Sequence, residues 1–175
     1  MDHRDLILEA AKTLTIREVS VPDPHDATAA AGLADTDVID PFPSRAALMA
    51  ELAVSTITTI DAAVQAGAAE GRAARTWLEP SLEPEGAIAL YRALAQAHRL
   101  DHEPDTDAAA PFRDALARWE GLIAAECGDP DRARLIRLTG DGLAAGVAVG
   151  SEGAPAGAEQ DALIDAVLDD PGANP

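Results

Sequence analysis

The chain has 175 residues, 47% of them hydrophobic but only 3% aromatic, and sets 13 basic against 31 acidic side chains for a formal net charge of −18. That length suits one domain, or one domain with a small head, and that charge keeps a protein soluble and repels phosphate backbones. A single cysteine, Cys127, excludes a disulfide framework within the chain. The start lacks the basic-then-apolar signature of a leader, and no run of residues approaches membrane-spanning length. The expectation is a cytoplasmic protein with no membrane partner.

Much of the apolar fraction is alanine, which favours helix and buries little area per residue. An all-α protein with close helix contacts follows, and a partner subunit is expected to add to its stability. In chain order, residues Asp5 to about Thr15 are helical, with Leu6, Ala10 and Leu14 beside Ile7 and Ala11. Val19 to Pro24 holds two prolines and turns the chain. Asp23 is placed to cap, and Pro24 to open, a helix over His25–Ala31 that Gly32 ends. A short polar segment, Asp35 to Asp40, follows, and Pro41 restricts Asp40. Val38 anchors that segment and Phe42 packs into the core of the head. Between Val19 and Ser44 there is no Lys or Arg, whereas Asp23, Asp26, Asp35, Asp37 and Asp40 all fall there.

Ser44 caps the next helix, which runs to about Gln65. Leu48, Leu52, Ile60 and Ala63 form one apolar row, and Met49, Ala53, Ile57 and Val64 an adjoining one. The 66–75 stretch is small and polar and suits either a helix or a loop. Pro80 and Pro84 bracket a break. A helix from near Pro84 carries Ile88, Tyr91, Leu94, Ala95 and His98 on one face, and Asp101 to Asp107 is an acidic loop. Phe112, Leu116, Trp119, Leu122 and Ile123 define a helix that stops at Gly128. Asp129 and Pro130 begin the next, with Leu135, Leu138, Leu143 and Val147, and with Gly142, Gly146 and Gly150 four apart. After a flexible link at 151–157, Ala158 to Asp169 forms the last helix, with Leu163, Ile164, Val167 and Leu168. Residues 171–175 are a tail. No internal repeat is visible.

Three motifs carry a family resemblance. Ala30-Ala31-Gly32 precedes Phe42-Pro43-Ser44-Arg45 and Leu48 in the order of a helix-turn-helix followed by a connecting helix. Ile7-Leu8-Glu9-Ala10-Ala11 stands at the start, and Gly140-Asp141-Gly142-Leu143 near the end. Together they resemble the TetR family of transcriptional regulators. The resemblance implies a TetR-like fold with a helix-turn-helix head over 1–46 and a helical ligand-binding and dimerisation body over 47–170. It also implies an effector site among the middle helices and a homodimer formed by the last two. The departures lie where the family reads DNA. Thr15-Ile16 replaces a usual Phe, and the reading positions are Asp35, Thr36, Asp37, Ile39 and Asp40. Carboxylates there oppose both phosphate contact and base readout, which rely on Arg, Lys, Asn and Gln.

The other chemistry is sparse. His98 and His102 lie one helical turn apart, but the spacing forces no third ligand, and no metal is expected. Cys127 has no positioned partner, no phosphate-cradling glycine motif occurs, and neither a cofactor nor a catalytic residue is expected. Four of the five aromatic residues fall in the middle helices. Trp77, Tyr91, His98, Phe112 and Trp119 therefore form the candidate ligand-binding set, with plain core filling as the competing reading. Gly142, Gly146, Gly150, Leu163 and Val167 form the candidate dimer interface. The function expected is a TetR-like regulator that binds a small hydrophobic molecule, its DNA reading lost or reduced, with another regulator as a protein partner. The alternatives are a conventional DNA-binding repressor and an enzyme that uses the effector pocket as an active site.

Overall fold

A computed structural model describes residues 2–33, 41–100, 110–148 and 155–169. Among the described residues the regular structure is helical, with no strand: α1 His3–Glu18, α2 Pro24–Ala30, α3 Arg45–Ala69, α4 Ala73–Leu78, a 3-10 turn at Glu79–Leu82, α5 Ala87–Leu100, α6 Ala110–Cys127, α7 Pro130–Ala148 and α8 Ala158–Asp169. The chain packs as two units. One comprises Met1–Thr58 with Leu90–Ala109, the other Thr59–Ala89 with Ala110–Pro175. α3 and α5 each contribute to both.

In the first unit α1 opens with a capping box. Asp2 accepts from the Asp5 backbone N–H at 2.8 Å, and Asp5 accepts from that of Asp2 at 3.2 Å. α1 outruns the stretch expected from its apolar pattern and stops at Val19, which is held at φ 50°. A β-branched residue is rare in that region. Pro24 is the first residue of α2 as expected, but Asp23 caps by position only, without a side-chain bond. α2 packs against α1, and Gly32 at φ 73° follows it. Ile7, Leu8, Ala11, Val21, Ala27, Phe42, Leu48 and Leu52 are buried in this unit. Ser44 accepts from the Ala47 N–H at 3.1 Å, so the expected cap on α3 forms.

α3 is longer than expected, ending at Ala69, and the doubtful 66–75 stretch resolves into its last turn, a bend and the start of α4. Gly71 at φ 68° makes that bend. The expectation that no run reaches membrane-spanning length needs correction, because α3 is long and apolar enough by length and composition. Leu48, Leu52, Ile60 and Val64 along it are buried, while 28% of its most apolar window is buried. α5 begins at Ala87 rather than near Pro84, because the chain first completes the 3-10 turn at Glu79–Leu82.

In the second unit α6 lies along α7, and α4 packs against both. Asp129 caps α7 through the N–H groups of Asp131 at 2.9 Å and Arg132 at 3.3 Å, as its Asp-Pro start requires. The Glu126 carboxylate, from the last turn of α6, accepts from the N–H groups of Ala73 and Ala74 and so caps α4. Buried hydroxyls are satisfied locally: Ser81 donates to the Trp77 carbonyl at 2.9 Å, as Thr15, Thr28 and Thr56 do to Ala11, Pro24 and Leu52 in the first unit.

Candidate functional site

The aromatic set divides between the units: Trp77, Phe112 and Trp119 belong to the second, Tyr91 and His98 to the first. Trp77 and Trp119 meet. Both are fully buried, with ring centroids 5.5 Å apart and planes tilted by 34°, a separation that favours attraction between rings. Each indole N–H has a partner. Trp77 donates to the Arg137 carbonyl of α7 at 3.1 Å, and Trp119 to Asp61 Oδ1 of α3 at 2.6 Å. Arg118 donates to the other oxygen of Asp61 at 2.7 Å. A carboxylate on an apolar helix is thus fixed between an indole and a guanidinium. Phe112 and Tyr91 are also buried, and His98 is half-buried. His102 lies outside the described residues.

Residues not singled out from sequence complete this cluster. Arg137 joins α7 to α6 through Glu120 at 2.7 Å and braces its own helix through Asp141 at 2.6 Å. Gly140 makes room for the tryptophan pair. A Cβ there would run into Trp77 Nε1 and stand 2.9 Å from its Cδ1 and 3.0 Å from Ser81 Oγ. At Gly142, two residues on, a Cβ would meet nothing within 4 Å. Periodic spacing marks Gly142, whereas close packing requires Gly140. Asp61 had one signal, a lone acid within an otherwise uncharged stretch of α3. Gly140 stands in the Gly140-Asp141-Gly142-Leu143 motif, but nothing in the sequence marks it as the close-packed glycine, because glycines on a helix look alike until a partner side chain is placed.

The reading positions Asp35, Thr36, Asp37, Ile39 and Asp40 lie outside the described residues. Among the described residues, every Lys and Arg within 2–58 has a partner within the chain. Arg45, in the Phe-Pro-Ser-Arg motif, donates from Nε to the Val21 carbonyl at 2.6 Å and from Nη2 to Ser20 Oγ at 3.3 Å. Arg4 lies over the Phe42 ring, 5.2 Å from its centroid, and pairs with Glu51 at 2.9 Å. Lys12 and Arg17 each pair with a neighbouring glutamate at 2.8 Å.

On α7, Leu135 and Leu138 are half exposed and Gly142 is exposed, all on one side of the helix. Gly146 is half-buried, as are Leu163 and Val167 on α8, while Ile164 is fully buried within the chain. The apolar stripe of α8 is therefore partly covered by its own subunit. Gly150 lies outside the described residues.

A family model described as a tetracyclin repressor-like C-terminal domain matches residues 71–169, more than half of the chain. No curated protein and no solved structure gives a significant match.

Proposed function

The chain belongs to the TetR family of regulators, and from that premise we propose that it senses a small hydrophobic molecule without reading DNA specifically. The observation that carries this is the use of the basic side chains in the head. Residues 1–58 contain four basic residues against ten acidic ones. All four have partners within the chain, Arg45 at the Val21 carbonyl and Arg4, Lys12 and Arg17 in surface ion pairs with glutamates. Phosphate binding would require breaking those contacts in a strongly negative field. Ligand binding is proposed for the matched region on the family resemblance, and of the four aromatic residues there Trp77 and Trp119 are packed against each other. Such a protein acts on transcription through another regulator, as a pseudo-repressor.

Fluorescence anisotropy on upstream and random duplexes at low salt tests the reading. Weak binding with no preference between duplexes is expected. Tight, salt-sensitive, selective binding would restore the conventional repressor. We also propose a homodimer through α7 and α8, with Leu135 and Leu138 joining Gly142, Gly146, Leu163 and Val167. Exposed leucines flanking a glycine allow a second helix to approach closely. Light scattering on wild type and Gly146→Leu checks it. The expected outcome is a dimer that the leucine shifts towards monomer.

A further inference from the structure

The exposed side of α7 carries a charge as well as its leucines. Arg134 stands one turn before Leu138 and two before Gly142, so the three form one row, and all are exposed. Every other described Lys or Arg side chain has a partner in the chain, whereas Arg134 has none among the described residues. α8 presents the complement. Glu159 stands one turn before Leu163 and two before Val167, is exposed, and also has no partner among the described residues. The other acids of α8 lie off that row. Asp165 pairs with Arg75, and Asp161 and Asp169 each stand two residues from Leu163 or Val167, on another side of the helix.

These two charges lie at opposite ends of the hairpin within one subunit. α4 and the 3-10 turn provide a common scale for both helices. Along α8, Asp165 pairs with Arg75, and Gln160 donates to the Glu79 carbonyl at 3.5 Å. Along α7, the Arg137 carbonyl accepts from Trp77, and a Cβ at Gly140 would stand 3.0 Å from Ser81 Oγ. From Arg75 to Ser81, residue numbers rise on α7 and fall on α8, so the two helices are antiparallel. Arg132, in the first turn of α7, accordingly donates to the Val167 carbonyl in the last turn of α8. Arg134 lies near that end, and Glu159 is about 12 Å along α8 from Val167.

We propose that Arg134 pairs with the partner subunit's Glu159 in a two-fold contact of α7 and α8, and that this pair fixes the direction in which the two hairpins meet. The pair rests on the homodimer proposed above, whose register it supplies. An axis lying in the contact and perpendicular to the helices sets α7 antiparallel to its copy and parallel to the partner's α8. Arg134 is then level with the start of the partner's α8, and the symmetry forms the pair twice. An axis along the helices would instead bring Arg134 to the end of that α8, where the acid, Asp169, is turned off the interface row. A second copy fits this face because it supplies both the matching apolar rows and the matching charges. In a chain of net charge −18 the two pairs offset part of the repulsion between copies.

Sedimentation velocity on the full chain over a concentration series, at about 0.05 M and about 1 M salt, tests the pair. Both side chains are exposed, so reversing their charges leaves the fold of the subunit in place. Arg134→Glu is compared with Arg17→Glu, which makes the chain more negative by the same amount on a head helix. At low salt Arg134→Glu should raise the dimer Kd at least about tenfold above that of Arg17→Glu, because one reversal turns two attractions into two repulsions. Glu159→Arg makes the chain less negative, so relief of repulsion alone would tighten the dimer. It should weaken the dimer instead. Arg134→Glu combined with Glu159→Arg keeps the wild-type net charge and should return Kd to within about threefold of wild type. That recovery should shrink at high salt, where the Debye length is about 3 Å. A wild type that stays monomeric at about 100 μM would remove the dimer and the pair with it. A wild-type dimer that Arg134→Glu weakens no more than Arg17→Glu does would overturn the pair and leave the dimer standing. So would rescue of Arg134→Glu by Asp169→Arg rather than by Glu159→Arg.

Discussion

The tryptophan pair of the second unit and the arginine contacts of the first solve different problems. In the second unit two large rings fill the space between α4, α6 and α7, and each polar edge is bonded, to the Arg137 carbonyl or to Asp61. In the first unit the only aromatic side chain before α5 is Phe42, and an arginine covers its ring. The other buried side chains before α5 are mostly aliphatic, Tyr91 joins them from α5, and Arg45 ties the start of α3 to the Val21 carbonyl. Both units use charged contacts, Arg118 with Asp61 and Arg137 with Glu120 in the second, Arg4 with Glu51 and Arg45 with the Val21 carbonyl in the first, and the second adds the buried tryptophan pair. The first unit's basic side chains are the kind of group a DNA-binding head uses to reach phosphate. In this chain structural use of the cations and phosphate contact compete for the same side chains.

The largest expected effect is at Trp119. Trp119→Ala removes one ring of the pair, leaves a cavity and strands Asp61 without its indole donor. It should cost about 3–5 kcal/mol, measured by urea unfolding followed by circular dichroism. A loss below about 1 kcal/mol, within the range of surface changes, would mean that the ring lines a collapsible or ligand-filled space. A smaller loss is expected at Gly140. Gly140→Ala drives a methyl group into the Trp77 indole, and overpacking of this kind costs about 1–3 kcal/mol. Tryptophan emission should shift with it as the Trp77 bond to the Arg137 carbonyl is disturbed. Gly142→Ala is the opposite test. With open space around it, alanine should stabilise the isolated subunit by up to about 1 kcal/mol through helix propensity. Destabilisation there at concentrations that favour dimer would place Gly142 in the subunit interface.

The head should respond more weakly. Arg45→Ala removes the bonds to Val21 and Ser20 and should cost about 1 kcal/mol, with thermal unfolding of the full chain as the measurement. It should leave DNA affinity unchanged, because Arg45 is already engaged. A drop in low-salt DNA affinity would show that this arginine reaches phosphate and would break the contrast between the units. The smallest effect is expected at Lys12, whose pair with Glu9 is a surface pair one turn apart. Lys12→Ala should change stability by less than about 0.5 kcal/mol.

The all-α fold, the Ser44 and Asp129 caps, the proline at the start of α2 and the extent of α8 were legible in the sequence. Each depends on the chemistry of a few adjacent residues, and local rules act there without tertiary help. The family was legible for a related reason, since its motifs are short and local. What the chain alone did not reveal was which of several similar residues would matter. Gly140 and Gly142 have the same propensity, and only the arrival of the Trp77 ring from α4 separates them. Asp61 and Trp119 are far apart in sequence, and their bond exists only once α3 and α6 are placed. The apolar row of α8 looked like a free interface until Ile164 was found buried in its own subunit. Arg45 read as the basic residue of a DNA-binding motif, and the tertiary structure gave it to the Val21 carbonyl. Composition and spacing set which helices form and where they end, because those follow from local dihedral and hydrogen-bond preferences. Which side chains meet across helices is decided by packing, because contact between distant residues depends on shape and carries no local signature.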